Sequence, residues 1–377
     1  MSSDRHVVVV GAGPGGLAAA ARLRDRGGGR VAVTLIAPGL RATFLGGTLD
    51  VALGDQEPTA FSAPVDMAGV RCIDAAVSAV APDGVALGDD RIAADAVIAA
   101  PGLVVDANSM PSWSRVVAAW DPYGARRLRE RALGLRAGRV LVAITAVPYR
   151  CPPAPLALAV GLAGRHLEAR HAVRVTVATP EAVPLAGVGG EAPAFVSDAC
   201  AAAGVTLERG FVPDLQASAD GVLRATDGRE IPYDGAFLVP AHRRAACLEG
   251  LPGTGPLVAV GERGSVDGSP LYVVGDAAGT GLPRAAGFAS GAAVAAADGA
   301  LESLGIAPAP PPPALEASCF MFHHGRAISR IGVRYTGDGP SVRIDGPSRD
   351  LWPARTGELR RFLEAAGAPG SGVTAAG

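Results

Sequence analysis

Residues 7 to 10 are four consecutive valines, running straight into Gly11-Ala12-Gly13-Pro14-Gly15-Gly16 and then the helical stretch Leu17 to Leu23. A β-branched run of this kind suits a parallel strand buried on both faces. G-x-G-x-x-G set between a strand and a helix is the context in which the pattern points to a bound dinucleotide. Gly11 permits the tight turn, Gly13 lets the backbone approach a pyrophosphate, and Gly16 lets helix and strand pack closely. Pro14 and Gly15 complete the turn, and the free N–H groups at the helix start face the phosphates. An unliganded glycine-rich turn is the simpler alternative in a chain with 51 glycines, but the flanking strand and helix weigh against it.

At 377 residues the chain is long enough for two or three domains. A net charge of −2 offers no basic footprint for nucleic acid. Lysine is absent, so all 34 basic residues are arginine. Biased codon usage is the simplest cause, and no single arginine is read as functional on that ground. No apolar run has the length of a membrane-spanning helix. A strand beginning close to Met1 leaves no room for a signal peptide. Both points favour the cytoplasm, with at most peripheral contact at the inner face of a membrane. The five cysteines are odd in number, scattered and without C-x-x-C spacing, which argues against a disulfide framework and against a metal site.

A second parallel strand is expected over Arg30 to Ile36. Nucleotide-binding β-α-β units usually end it with an acidic residue that holds the ribose. Ala37 and Pro38 stand there instead, which weakens that contact and leaves the phosphate cradle. Strand character follows over Val70 to Val80, Gly84 to Leu87, and Arg91 to Gly102, the last ending at Pro101-Gly102. Ser112 to Gly138 holds a helix, clearest over Tyr123 to Leu133. Arg139 to Thr145 opens a second α/β unit. It continues through a helix from about Pro155 to Arg170, the strand Val173 to Ala178, a helix around Phe195 to Ala203, and strands near Val205 to Glu208 and Ala236 to Val239. Its first strand is not followed by a glycine turn. Leu271 to Val274 is a strand ending at Gly275-Asp276, with a helix from about Ala286 to Leu304 behind it. Pro308 to Pro313 reads as a stiff linker. Beyond it come strands at Cys319 to His323, Ala327 to Tyr335 and Ser341 to Ile344. A short helix over Thr356 to Ala366 carries Leu359, Phe362, Leu363 and Ala366 on one face. The stretch from Gly367 reads as disordered.

The Gly11 to Gly16 turn, the strand ending at Pro101-Gly102, the second α/β unit and Gly275-Asp276, in this order, resemble the two-dinucleotide-domain flavoproteins that include the pyridine nucleotide-disulfide reductases. The resemblance implies an α/β fold with two Rossmann-like dinucleotide-binding domains, the FAD domain being split in sequence, plus a small C-terminal α+β region. The implied division is 1–110 for the first half of the FAD domain, 111–262 for the second Rossmann-like domain, 263–307 for the second half of the FAD domain, and 308–377 for the C-terminal region. It also implies that Asp276 hydrogen-bonds the ribityl chain of FAD, where helix capping is the alternative.

Tyr149-Arg150-Cys151-Pro152-Pro153 resembles, more narrowly, the cysteine loop of sulfide:quinone oxidoreductases and flavocytochrome c sulfide dehydrogenases. Ser318-Cys319-Phe320 resembles their second redox cysteine. Leu282-Pro283-Arg284-Ala285-Ala286-Gly287 resembles a segment with Pro-Lys, Arg284 standing in the lysine place. Val239-Pro240-Ala241-His242 resembles the segment closing the second unit. The cofactor set implied is Gly11, Gly13, Pro14, Gly15, Gly16, Ala37, Gly102, Gly275, Asp276 and Arg284, and the redox pair is Cys151 and Cys319.

Cys151 has support of its own. It follows the carboxyl end of a parallel strand, where open α/β sheets bind ligands. The prolines after it place it just ahead of a helix N-terminus, which stabilises a thiolate, and Arg150 adds a positive neighbour. Cys72, Cys200 and Cys247 lie in ordinary strand or helix patterns and read as small buried hydrophobes. His323-His324 reads as adjacent strand residues facing opposite ways rather than a metal site.

The resulting expectation is an enzyme with non-covalent FAD, since 41–53 holds no cysteine to attach it. It oxidises sulfide or a small thiol by thiol–disulfide exchange at Cys151 and Cys319. Electrons then pass through the flavin to a quinone, a cytochrome or another acceptor. The rivals are an NAD(P)H-dependent reductase of the same fold, a tailoring oxidase, and an electron-transfer flavoprotein subunit without turnover of its own.

Overall fold

The computed structural model of the chain describes residues 5–118, 120–336 and 339–368. From 369 onward, the stretch read as disordered lies outside the described residues. Its first two residues, Gly367 and Ala368, hydrogen-bond back to Glu364 and Leu363 at 3.0 and 3.2 Å.

The first of two five-stranded parallel sheets runs in the order Leu271–Val273, Ala96–Ala99, Arg5–Val10, Val31–Ile36, Arg71–Ile73. Arg5–Val10 is central, with Val7, Val8 and Val9 at 0 % exposure, as a strand covered on both faces requires. The edge strand Leu271–Val273 comes from far along the chain and pairs with Ala96–Ala99, so this unit is split in sequence. The helix Pro14–Gly27 packs on the helix Ala286–Ser303, where Arg22 and Arg26 both reach the buried carboxylate of Asp298 at 2.9 and 3.0 Å. Two stretches expected as single strands divide. Val70 to Val80 becomes Arg71–Ile73 in the main sheet and Ala79–Ala81 in a separate antiparallel one. Arg91 to Gly102 becomes Asp90–Ala93 there and Ala96–Ala99 here. Asp95 marks the second break by accepting the His6 amide at 2.7 Å.

The second parallel sheet runs Val116–Ala118, Gly235–Val239, Ala137–Ile144, Ala172–Ala178, Thr206–Glu208. Its edge strand Val116–Ala118 lies inside the segment expected to hold only a helix. That strand is too short to show a period of its own. The helix is confined to Pro122–Ala132, where Asp121 caps it by accepting the Gly124 amide at 2.9 Å.

The strands Leu315–Phe322, Ile328–Thr336 and Gly339–Ser348 form an antiparallel sheet, followed by the helix Trp352–Ala365. This helix starts a turn earlier than the sequence suggests, because Pro353 is tolerated in a first turn. Leu359, Phe362, Leu363 and Ala366 are buried together, as their spacing predicts. His323 and His324 do not continue the strand. It ends at Phe322, Gly325 turns the chain with φ 68°, and His323 Nε2 meets Ser329 Oγ at 2.9 Å. No helix among the described residues is long and apolar enough to cross a membrane.

Candidate active site

A cavity of about 1400 Å³ extends from the opening glycine turn to the C-terminal sheet and helix. Single-ligand pockets usually span about 300–1,000 Å³, so this one has room beyond a single small molecule. Gly11, Gly13, Pro14, Gly15, Ala37, Gly102, Gly275, Asp276 and Arg284 all line it, whereas Gly16 sits behind the wall. The glycine turn is built as the fingerprint requires. Gly11 has φ 101°, and a Cβ there would lie 2.4 Å from the Ala100 carbonyl oxygen. A Cβ on Gly16 would lie 1.8 Å from the Gly11 carbonyl oxygen, so helix and strand can approach only through glycine. A Cβ on Gly13 would meet nothing within 4 Å and would project into free space beside the helix N-terminus.

Asp276 is not a helix cap: no side chain caps the turn at 275–277 or the helix that follows. Its carboxyl is raised by burial and opposed by the guanidinium charges of Arg150 and Arg284. Burial in turn lowers both arginines, with Asp276 resisting. Nε of Arg150 and Nε of Arg284 are buried without a hydrogen-bond partner among the described residues. Orphaned buried donors are costly. Together with the Gly13 opening they fit a polar, anionic dinucleotide lying along this wall.

Cys151 sits in the loop between the strand Ala137–Ile144 and the helix Ala154–Glu168. Its backbone is left-handed, φ 54°, a conformation that costs a non-glycine residue energy and concentrates at functional sites. The surroundings hold it there. Its amide donates to the Arg284 carbonyl at 3.0 Å. Trp120 Nε1 donates to the Arg150 carbonyl, and Arg150 Nη2 donates to the Trp120 carbonyl, each at 2.9 Å. Cys319 belongs to the strand Leu315–Phe322 and lines the same cavity as Cys151, the two thiols influence one another's titration, and neither is in a disulfide. The structure therefore brings together two residues far apart in sequence, half-buried on one cavity wall.

The pair is electrostatically unequal. Cys151 is held below the ordinary thiol range by the hydrogen bond from Cys319, against burial, with help from the Arg355 charge and the Ala154 amide at the helix start. Cys319 is pushed well above it by donating to Cys151 and by burial. Arg150 attracts the Cys151 thiolate, but less than it attracts Asp276 and Asp121. Arg355 supplies the larger positive charge at Cys151. Cys200 is buried in a helix with its thiol pushed up to about 11. Cys247, expected in a regular element, lies in a short turn at the cavity edge with its thiol raised by burial.

Two groups escaped the sequence. Arg355, in the extra first turn of the C-terminal helix, donates through Nε to Asp50 at 3.0 Å and through Nη2 to the Gly46 carbonyl at 3.0 Å. It also lies over the rings of Phe320 and Phe322 at 5.4 and 4.8 Å. Glu358, one turn on, faces Cys319 and Ser318, and burial raises its carboxyl against Arg355, Arg361 and Arg330. A buried arginine spaced one turn before an acid was the available signal, but nothing local marked the pair as facing a cavity. The second sheet contains a further contact. The buried Tyr149 donates its hydroxyl to Glu181 Oε2 at 2.9 Å, just past the strand Ala172–Ala178. An acidic residue near the end of that strand is where a dinucleotide ribose would be held, and here Tyr149 occupies it.

No family model matches the sequence, and no curated protein is similar to it in sequence. Solved structures do match in fold. The sulfide:quinone oxidoreductase of the hyperthermophilic bacterium Aquifex aeolicus superposes with a TM-score of 0.78 at 17 % identity, covering 96 % of this chain and 91 % of that one. A chain of the Tetrahymena thermophila mitochondrial ATP synthase gives 0.80 at 14 % identity, covering 98 % and 99 %. NDH2 of Plasmodium falciparum, solved with NADH, gives 0.68 at 11 % identity, covering 96 % of each chain. At these identities the likeness is one of architecture. Two Rossmann-like parallel sheets with a smaller C-terminal α+β region are the fold that this chain shares with them.

Proposed function

We propose that the chain is an FAD-dependent oxidoreductase that oxidises sulfide or a small thiol at Cys151 and Cys319. The observation that carries this reading is that Cys151 and Cys319, far apart in sequence and neither in a disulfide, line one cavity that also runs past the glycine turn and Asp276. The Gly11 to Gly16 turn and Asp276 are suited to hold FAD non-covalently, with Arg150 and Arg284 balancing charge on the same wall. When bound, FAD supplies the two-electron acceptor that returns the dithiol to a disulfide.

We take Cys319 as the sulfur attacked and Cys151 as the sulfur released. In the disulfide form, hydrosulfide bonds to Cys319 Sγ and the Cys151–Cys319 bond breaks, its electron pair leaving on Cys151. The lower-pKa thiolate leaves faster, which favours this direction over attack on Cys151. Cys319 is left carrying a persulfide. A second hydrosulfide or small thiolate bonds to its outer sulfur and leaves with it as a persulfide. The bonding pair returns to Cys319, which takes up a proton, and the resulting dithiol is what is re-oxidised. Arg355 and the Ala154 amide stabilise the departing Cys151 thiolate. Glu358 is placed to take the Cys319 proton when the dithiol is oxidised. We assign Cys151 and Cys319 as catalytic residues and Arg355 as a positioning residue.

The glycine turn missing from the second unit and the Tyr149–Glu181 contact disfavour NADH or NADPH as reductant. The final acceptor is a quinone, a cytochrome or another small oxidant, met in the cytoplasm or at a membrane surface. An anaerobic titration of the FAD-loaded protein with sulfide, and separately with NADH, tests the reading. Bleaching of the flavin by sulfide and not by NADH is expected, and the reverse would favour the reductase.

A further inference from the structure

Residues 145–153 carry the chain from the strand Ala137–Ile144 to the helix Ala154–Glu168. Ahead of Cys151 this loop is held by Thr145, whose hydroxyl donates to the Val239 carbonyl at 2.8 Å, and by the reciprocal bonds of Arg150 and Trp120. Cys151 is followed by Pro152 and Pro153, which have no N–H to donate. Past the sulfur the loop backbone can therefore be held only through carbonyls. Those of Cys151 and Pro153 accept the Ala154 and Ala157 amides at 2.9 Å each and belong to the helix start. The Pro152 carbonyl meets the Tyr149 hydroxyl at 3.2 Å.

That hydroxyl shares one hydrogen between two acceptors. The shorter bond, 2.9 Å, goes to Glu181 Oε2, and the Pro152 carbonyl takes the weaker share. Glu181 is itself fixed. Thr179 Oγ1 donates to the same carboxylate oxygen at 3.1 Å and accepts the Glu181 amide at 3.2 Å. The Glu181 carbonyl accepts the Gly210 amide at 3.1 Å, and the Thr179 carbonyl accepts the Phe211 amide at 2.9 Å. Both bonds bind the Glu181 turn to the chain that leaves the neighbouring strand Thr206–Glu208. The buried Tyr149 side chain thus spans from the end of the strand Ala172–Ala178 to the peptide just past Cys151.

We infer that Tyr149 and Glu181 are positioning residues for the cysteine pair: their contact clasps the Cys151 loop to the end of the second sheet and keeps the Cys151 sulfur in place toward Cys319. The inference rests on the reading of Cys151 and Cys319 as the reaction centre. A left-handed backbone at Cys151, φ 54°, persists only where the surroundings hold it. Arg284 and Trp120 act on the peptide ahead of the sulfur, and Tyr149 acts on the peptide after it. The Arg355 charge and the Ala154 amide support the thiolate only while the sulfur stays beside them. A misplacement of about 1 Å at a reacting group can cost about a hundredfold in rate. The clasp also uses the carboxylate that a nucleotide-binding unit would offer to a ribose, so a fixed Cys151 and a bound pyridine nucleotide exclude one another.

Alkylation of Cys151 in the reduced, FAD-loaded protein provides the test. Iodoacetamide labelling across pH, read by mass at the Cys151 peptide, reports the thiolate without turnover. Tyr149→Phe and Glu181→Ala are each expected to keep FAD, to raise the labelling midpoint by about one pH unit, and to slow flavin reduction by sulfide at least about tenfold. The double variant is expected to be no worse than either single, because the two residues form one clasp. Losing the Glu181 charge alone would move the midpoint down, so a rise reports position rather than charge. Glu181→Gln keeps an acceptor oxygen and should not raise it. Thr145→Val removes a bond at the far end of the same loop and should leave the midpoint unchanged. A parental midpoint in either Tyr149→Phe or Glu181→Ala, or an equal rise in Glu181→Gln or Thr145→Val, would overturn the positioning role. If the midpoints shift as expected but sulfide does not bleach the parent flavin, the proposed thiol oxidation fails and the clasp stands.

Discussion

The Cys151 amide donates to the Arg284 carbonyl at 3.0 Å. This bond ties the cysteine loop, which belongs to the second parallel sheet, to the segment that precedes the last helix of the first. It fixes Cys151 in its left-handed conformation and sets the sulfur toward Cys319. The two Rossmann-like units are thus joined at the point where the chemistry is proposed.

Flavin attachment follows from where the cysteines are. The stretch 41–53 contains none, and Cys151 and Cys319 are engaged with one another. Acid precipitation of the yellow protein should release all of its colour into the supernatant. Colour retained by the washed precipitate would mean a covalent link.

The second unit should reject pyridine nucleotides. Tyr149 is 3 % exposed and its hydroxyl holds Glu181 in the position a ribose would need. Stopped-flow mixing with micromolar NADH or NADPH should leave the flavin oxidised. Rapid bleaching by either would show that the Tyr149–Glu181 contact opens.

Arg355 links stability to the thiolate. It and Asp50 are both buried, so Arg355→Met strands a carboxylate and should cost about 3–5 kcal/mol in urea unfolding. Adding Asp50→Leu should recover most of that loss, since an apolar pair of similar volume is often no worse than a buried ion pair.

The same charge governs reactivity with pH. Cys151 lies below the ordinary thiol value of 9.0, so its thiolate, and its alkylation by iodoacetamide, should persist to lower pH than for a free cysteine. Removing the positive charge in Arg355→Met, or the donor in Cys319→Ala, should move the alkylation midpoint upward. A midpoint unchanged in both variants would contradict the assigned causes.

These relationships were unequally legible in the amino-acid sequence. The Gly11 to Gly16 turn is readable because its pattern is contiguous and the Gly16 approach is to Gly11 itself, although Gly11 also packs against Ala100 from a distant strand. The helix start after Cys151 is readable for the same reason, whereas the split first unit was reached only through resemblance. Cys151 and Cys319 could be paired only through resemblance, since no spacing rule joins them. Arg355 was hidden twice, by a helix start placed a turn too late and by a partner, Asp50, at the other end of the chain. Tyr149 and Glu181 lie on different strand ends, and only the parallel register of Ala137–Ile144 with Ala172–Ala178 brings them together.

The most direct test of the central claim is anaerobic sulfide titration of the FAD-loaded parent, Cys151→Ser, Cys319→Ser and the double variant, followed at the flavin absorbance. The parent should bleach. Each single variant should keep its FAD and slow by at least about a hundredfold, with the double no worse than either single, because the two sulfurs act as one unit. Cys200→Ser, buried away from the cavity, should behave as the parent. Bleaching at the parental rate by either Cys151→Ser or Cys319→Ser would contradict the dithiol mechanism.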